Sequence, residues 1–423
     1  MKGETRNRAA RIILKWLEEG EFPDRLLAGE TKDRGFLMEV TYGSVKWKRQ
    51  LEWLMERLVS REPEPVVLAH LLAALYQVFH MDTVEPYALV DETVEAVKTA
   101  RGKAGAGFVN AILRRALREK AALLKDLAAA PLAVRESHPD VLVDRWTRLF
   151  GPERTAAILA WNNARPGVTV RVQGSRAAFA DVTAKWAAEG VSFEPHTACP
   201  DRCLALGKGI DVTKLPGWAE GWVTVQDPST LPAVDLLKAE RGMRILDACC
   251  APGGKLSDIV DRVGGDGVVA LDASRARLDL VKENLARLGG ESVTVMAGDL
   301  ARPETGRKLL EGGSYDRILL DAPCTNTGVL RRRADARWRF EPDSAREMAL
   351  VQGRLLSSAA ALLKHGGRLV YSTCSIEPEE DGELVRVWLE KHHGWKKIDE
   401  TVWLPGEHDA DGSYAVALGN GVG

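Results

Sequence analysis

The spacing of apolar residues changes along this chain, and that change limits what the chain can fold into. Up to about residue 165 the spacing is helical. Ile12, Ile13, Trp16 and Leu17 share one face, opposite charged residues. Residues 34–59 repeat the pattern through Phe36, Leu37, Val40, Val45, Leu51, Leu54 and Leu58, and residues 66–79 are almost wholly apolar, as in a central core helix. Residues 94–117 form a further helical pair, interrupted by Arg101-Gly102-Lys103-Ala104-Gly105-Ala106-Gly107. Each glycine there costs about 1 kcal/mol relative to alanine inside a helix. Helical segments at 141–149 and 154–161 follow. Strand-like alternation first appears at Val168-Thr169-Val170-Arg171-Val172, followed by a helix over 177–188 and a short strand from Val191. From Met243, strands at 243–247, 267–272, 292–297, 316–321 and 368–372 alternate with helices at 256–263, 275–288 and 343–363. Such alternation predicts βαβ units around a parallel sheet. The expected fold is multidomain: an all-α domain over 1–130, a small α+β linker domain over 131–218, and a Rossmann-like α/β domain over 219–423.

Composition excludes several classes. With 423 residues, 45% hydrophobic and 28% charged, the chain is neither disordered nor fibrous. No apolar run approaches the ~20 residues of a membrane span, and the first residues lack the apolar core of a signal peptide. A cytoplasmic, membrane-free protein is expected. The net charge of -2 makes any nucleic-acid reading depend on local patches. The six cysteines are too few for a disulfide scaffold in a chain of this length. Cys199 and Cys203 have no second pair at finger spacing, so no metal site is expected.

The unusual residues fall at the carboxyl ends of the predicted strands, where ligands bind in such sheets. The first strand runs into Asp247-Ala248-Cys249-Cys250-Ala251-Pro252-Gly253-Gly254-Lys255 and then a helix. Glycines allow a tight turn and close backbone approach, and a helix N-terminus suits an anionic group. The motif is neither a dinucleotide fingerprint nor a phosphate loop. The second strand ends at Asp272, placed to accept from ribose hydroxyls, and the third at Gly298-Asp299, placed to accept from an adenine amino group. Three strand-end carboxylates favour a cationic ligand. A sulfonium fits better than a pyrophosphate, which points to S-adenosylmethionine. Any one of these aspartates alone reads equally well as a helix cap.

The fourth strand ends Asp321-Ala322-Pro323-Cys324-Thr325, and the fifth ends Ser372-Thr373-Cys374-Ser375. Both bring a thiol to the ligand edge. A thiolate is a strong nucleophile. A pyrimidine C5 becomes nucleophilic only after something adds at C6. One cysteine can add there, Asp321 can hold the N3 edge, and the other cysteine can help remove the C5 proton. Which thiol does which stays open on these grounds. Arg331-Arg332-Arg333-Ala334-Asp335-Ala336-Arg337-Trp338-Arg339 follows closely. Arg331, Arg332, Arg333 and Arg337 suit phosphates and Trp338 an unpaired base.

Taken together, Asp247–Lys255, Asp321-Ala-Pro-Cys324 and Ser372-Thr-Cys-Ser375 resemble the NOL/NOP2/Sun family of RNA cytosine-C5 methyltransferases. The helices carrying Asp33-Arg34-Gly35-Phe36 and Gly107 to Arg115 resemble the NusB-like domain of its bacterial Sun/Fmu branch. Ser137-His138-Pro139, Gln226-Asp227-Pro228-Ser229 and Asp411-Gly412-Ser413-Tyr414 also fit that branch. The resemblance covers nearly the whole chain. It implies a NusB-like RNA-binding domain, an RRM-like linker domain and a catalytic domain that methylates RNA, 16S rRNA in this branch, before or during small-subunit assembly. It implies a monomer and a flipped target base. Cys374 would add to C6, Cys324 would promote proton removal and release, and Asp321 would contact the base. Cys249, Cys250, Ala251, Pro252, Gly253, Gly254, Lys255, Asp272, Asp299 and Asp321 would hold S-adenosylmethionine. The chain departs from the family at Cys250 (usually Ala), Thr325 (usually Ser), Arg332-Arg333-Ala334-Asp335 (usually Arg-His-Pro-Asp) and Asp381 (usually Asn). A DNA-type enzyme with Cys324 as nucleophile and a non-catalytic RNA-binding module are the competing readings.

Overall fold

A computed structural model describes residues 4–421 of the chain; Met1 to Gly3, part of the leading segment read for a signal peptide, lie outside the described residues. Helices α1 (Glu4–Glu19), α2 (Pro23–Leu26), α3 (Arg34–Lys46), α4 (Lys48–Glu56), α5 (Pro65–His80), α6 (Pro86–Ala128), α7 (Leu132–Arg135), α8 (Asp140–Phe150) and α9 (Pro152–Asn163) occupy the front of the chain. The apolar α5 is the centre of their core, with Leu71, Leu72 and Leu75 fully buried beside Ile13, Leu37, Leu54 and Val97. The expected glycine break is real: Gly102 leaves helical geometry at φ 72°, so α6 is two helices in sequence. The compact helical unit reaches Asn163 and includes residues 333–340.

The second compact unit begins with a small antiparallel sheet of β1 (Thr169–Val172), β2 (Phe193–Pro195), β3 (Cys203–Leu206) and β4 (Val223–Val225), with α10 (Phe179–Ala188) between the first two strands. Its strand order is β2-β3-β1-β4. Val170, Val182, Trp186, Leu204 and Val223 form the core.

The same unit holds α11 (Leu231–Leu237), β5 (Ile245–Ala248), α12 (Gly254–Val263), β6 (Val268–Asp272), α13 (Arg275–Leu288), β7 (Thr294–Ala297), α14 (Pro303–Leu310), β8 (Tyr315–Asp321), α15 (Ser344–Ala360), β9 (Leu363–Thr373), α16 (Gly382–Lys391), β10 (Trp395–Trp403) and β11 (Ser413–Asn420). The sheet order is β10-β11-β9-β8-β5-β6-β7. β5 pairs in parallel with both β6 and β8, which places the topological switch point at its carboxyl end. The expectation of a parallel sheet needs correction. β11 is antiparallel to both β9 and β10, so the sheet is mixed. The β10 segment Trp-Lys-Lys-Ile-Asp-Glu-Thr-Val-Trp at the sheet edge lacks regular alternation, and the β11 run Tyr-Ala-Val-Ala-Leu is short; neither segment stands out as a strand by itself.

The small sheet is tied to the catalytic sheet through a buried arginine. Arg171 of β1 is 1% exposed. Its guanidinium donates to Asp261 Oδ2 at 2.8 Å and Gln226 Oε1 at 2.7 Å, and lies 3.7 Å from Asp258 Oδ1. Asp258 and Asp261 are on α12, the helix that starts at the Gly253-Gly254 turn, so the small domain braces that turn. Without Arg171, Asp258 keeps Arg262 and Asp261 keeps the Gly174 and Ser175 N–H groups, but Asp261 loses its ion-pair partner and Gln226 its donor. Arg171→Ala is therefore expected to destabilise the full chain by about 2–3 kcal/mol, read as a lowered urea midpoint. An unchanged midpoint would contradict this account.

Candidate active site

The carboxyl ends of β5, β6, β8 and β9 converge, and their residues form two adjoining groups. The first is the turn after β5. Cys249 takes a left-handed conformation at φ 61°. Gly253 at φ 103° does the same at the entrance to α12, a conformation that glycine adopts without a Cβ penalty. Asp272, at the end of β6, ties this turn to its own strand: Oδ2 accepts from Ala251 N at 3.1 Å and Oδ1 from Ser274 N at 2.8 Å. Arg277 donates to the Ala251 carbonyl and Asn284 Nδ2 to the Pro252 carbonyl. Cys250 is buried among Leu256, Ile259 and Val281, so the extra sulfur at this position is absorbed by packing. Burial pushes the Cys249 thiol up to about 12. Asp299 caps the loop after β7, accepting from Ala301 N at 3.0 Å.

Asp247 is wholly buried, and neither carboxylate oxygen has a hydrogen-bond partner. Burial first, then the nearby Asp321 charge, holds its carboxyl well above the usual range. Such an orphan beside a helix N-terminus fits a ligand with both a cationic and an anionic group.

The second group is the thiol pair. Cys324 Sγ and Cys374 Sγ are 3.2 Å apart. Cys324 is buried and Cys374 is the more accessible of the two. Hydrogen bonding to Cys374 first, then burial, holds the Cys324 thiol well above its ordinary value. Asn326 frames the pair: its Nδ2 donates to the Cys324 carbonyl at 2.9 Å, which orients its Oδ1 3.3 Å from Cys374 Sγ. Gly328 closes the floor. An added Cβ there would meet the Gly412 carbonyl at 2.7 Å and the Cys374 carbonyl at 2.8 Å, so only glycine fits.

The two groups are joined by an ion pair. Lys255 Nζ lies 2.7 Å from Asp321 Oδ1, which also accepts from Ser372 Oγ at 2.9 Å. Burial alone would lower the Lys255 pKa; Asp321 more than offsets this and leaves it raised.

Comparison with known proteins bears on what this geometry serves. A family model for 16S rRNA methyltransferase RsmB/F matches residues 234–417. Models for the NusB family and for a ferredoxin-like domain of RsmF/B-like methyltransferases match residues 3–118 and 138–213. A ribosomal RNA small subunit methyltransferase B from Citrobacter koseri is 34% identical, over 99% of this chain and 99% of its own. The chain belongs to the RsmB/F methyltransferase family. A Pseudomonas putida relative of the same name is 35% identical over 89% of this chain and 86% of its own. The crystal structure of PH0851 shares the fold, with a TM-score of 0.80 and 22% identity over 98% of this chain and 99% of that one. A methyltransferase homologue from Pyrococcus horikoshii aligns with a TM-score of 0.59 and 25% identity, covering 68% of this chain and 97% of its own.

As an RsmB/F methyltransferase the protein uses S-adenosylmethionine. The strand-end residues fit that group: the helix N-terminus at Gly254 would take its carboxylate, Asp272 and Asp299 would take its ribose and adenine, and the orphaned Asp247 would lie near its charged end.

The arginine-rich segment of this RsmB/F protein requires a correction. Arg337 is fully buried, donating to the Ser137 carbonyl and to Asn163 Oδ1 at 2.9 Å, and burial lowers it to about 9. Trp338 packs against the helical core and donates to the Val45 carbonyl at 2.7 Å. Arg331 and Arg332 pair with Asp411 at 3.2 and 2.7 Å, and Arg332 also with Asp227 at 2.8 Å. These four side chains have protein partners and do not present a phosphate-gripping surface. Arg333, paired with Asp24, keeps half its side chain in solvent. Asn326, Ser372 and the Gly328–Gly412 contact were not singled out from sequence. Asn326 and Ser372 stand within two residues of a cysteine or its strand end, a signal that proximity alone could have supplied.

Among the described residues, no group of three or more potential ligands is placed to hold a metal ion, and no helix is long and apolar enough to cross a membrane.

Proposed function

We propose that the protein methylates C5 of a cytosine in 16S rRNA through a covalent bond between Cys374 and C6 of a flipped base. The observation that carries this reading is the pair of thiols 3.2 Å apart beside the Lys255–Asp321 pair. S-adenosylmethionine supplies a transferable methyl group on a sulfonium. Cys374, the accessible thiol, forms the bond to C6 as a thiolate, and the electron pair released into the ring makes C5 nucleophilic. Asp321, held by Lys255 and Ser372, accepts from the exocyclic amino group of the base and fixes its N3 edge in place, where the proton given up by Cys374 is taken up as the C6 bond forms.

Once Cys374 is a thioether, the largest influence holding the Cys324 thiol up is removed and burial remains. Cys324 passes its proton to water at the mouth of the site and, as the thiolate, takes the C5 proton. The C5–C6 double bond re-forms, and Cys374 leaves as a thiolate. The burial of Cys324 disfavours it as the first nucleophile, against the DNA-type reading.

The relatives' names support rRNA as the substrate. The need to flip the base supports action before or during small-subunit assembly, and we place the reaction in the cytoplasm with one chain as the working unit. Arg333 is the residue of the basic segment left for RNA contact. Bisulfite sequencing of rRNA from a strain lacking the gene tests the reading: one 5-methylcytosine in 16S rRNA should disappear and return with the wild-type gene. An unchanged pattern would refute it.

A further inference from the structure

Behind the thiol pair lies a carboxylate that the mechanism does not use. Glu380 stands in the turn before α16 and is 0% exposed. In sequence it belongs to Glu377-Pro378-Glu379-Glu380-Asp381, which reads as a solvated acidic turn. Instead, both of its oxygens point into the protein and meet hydrogen-bond donors. Oε2 accepts from Thr325 N at 3.0 Å and from Gln352 Nε2 at 2.9 Å. Oε1 accepts from Ser375 Oγ at 2.8 Å and from the Thr325 hydroxyl.

The identity of these donors matters. Thr325 directly follows Cys324, and Ser375 directly follows Cys374. Gln352 of α15 also donates to the Pro323 carbonyl at 2.9 Å, just before Cys324. One buried carboxylate therefore grips the two cysteine loops together. Hydrogen bonds to an ionised group are the strong ones, and four donors match the lone-pair capacity of a carboxylate. A group that only stabilised the fold would have no reason to divide its acceptors between the residues next to each thiol.

We propose that Glu380 is a positioning residue that sets the spacing of the two thiols, a proposal that rests on the two-cysteine reading above. It touches no reacting atom. Its effect on the reaction runs through the Thr325 and Ser375 contacts. A displacement of about 1 Å at a reacting centre can cost about 10²-fold in rate.

The test uses the full chain and a 16S rRNA transcript carrying 5-fluorocytosine, whose C5 fluorine cannot leave as a proton and so holds the covalent complex. Titration with this RNA counts competent sites, and turnover on ordinary transcript is expressed per competent site. Glu380→Ala is expected to lower kcat per site by about 10²-fold, with KM for RNA and for S-adenosylmethionine within about threefold of wild type. Glu380→Gln can keep a carbonyl oxygen for Thr325 N and Gln352 while the two hydroxyls rotate, so it should recover about tenfold of that loss. Should Glu380→Ala fail to fold, Thr325→Val removes one clamp hydroxyl at modest cost. It should slow turnover per site by about tenfold, with Thr325→Ser recovering most of it.

A merely structural role would lower the melting temperature and the titrated fraction yet leave kcat per site within about twofold. That result, with the wild-type complex intact, overturns the positioning role alone. Absence of any wild-type complex overturns the two-cysteine reading, and the positioning role with it.

Discussion

Cys374→Ala is expected to lower methyl transfer by about 10⁴-fold or more and to yield no covalent RNA complex, whereas Cys324→Ala should accumulate that complex. At 1.36 kcal/mol per tenfold, the first loss is about 5.5 kcal/mol of transition-state stabilisation. Cys374 is the accessible thiol of the pair, and it sits directly after β9, where Asn326 can orient its sulfur. Without it no group at the site can bond to C6. Cys324 is buried at 9% exposure, 3.2 Å behind the first sulfur. Its loss should spare bond formation and block the later removal of the C5 proton, leaving RNA attached. Denaturing gels of each variant mixed with transcript and S-adenosylmethionine separate the cases, and the double variant should show no complex. The reverse pattern, with Cys324→Ala free of complex and Cys374→Ala trapping it, would exchange the two roles and favour the DNA-type assignment.

The strand ends were legible because chemistry and local structure coincide there. Asp272 closes β6, Asp321 closes β8, and Cys374 directly follows β9, so alternation of apolar runs with helices was enough to bring them to one edge. The arginine segment was misread because its partners are remote. Arg337 reaches the Ser137 carbonyl across 200 residues of sequence and Trp338 reaches Val45 across 293. A run of arginines after a catalytic thiol looks like a phosphate grip until those partners are known. The contact of the Lys255 ammonium with Asp321, 66 residues away, arises because β5 and β8 are parallel neighbours, which the motif around Lys255 does not announce. Glu380 was hidden in a stretch of acids whose burial depends on the loops of two other strands. The missing strands share a cause with the arginine segment: β11 acquires its burial from pairing with both β9 and β10, and no local pattern announces that.

The Lys255–Asp321 pair joins the cofactor turn to the chemistry, and breaking it should separate its electrostatic role from its packing. Asp321→Asn keeps the shape and an oxygen for Ser372 while removing the charge. Lys255 would then hold a largely buried ammonium with its nearest counter-charge gone. Turnover is expected to fall by about 10²- to 10³-fold, since a preorganised charge at the base edge is lost. Stability should fall by about 2 kcal/mol at neutral pH, less than for a fully buried pair because 32% of the Asp321 side chain faces solvent. The pH dependence follows from the direction of the Lys255 shift. In wild type the folded-state pKa is raised by Asp321, so the pair's contribution is complete below the unfolded lysine value of about 10.4 and disappears as pH climbs through the folded value. In Asp321→Asn burial becomes the largest influence, and it lowers that pKa against the smaller opposite pull of Cys374 and Asp247. The penalty is then largest at neutral and acid pH, and it shrinks as pH rises past the variant's lowered value and on through the unfolded value of about 10.4, above which lysine is neutral in the unfolded chain as well. Urea denaturation of both proteins from about pH 6 to 11 should therefore give midpoints that draw together toward the alkaline end. A gap that is constant with pH would mean that Asp321 acts by packing alone. Turnover within tenfold of wild type would mean that the charge does not serve the base.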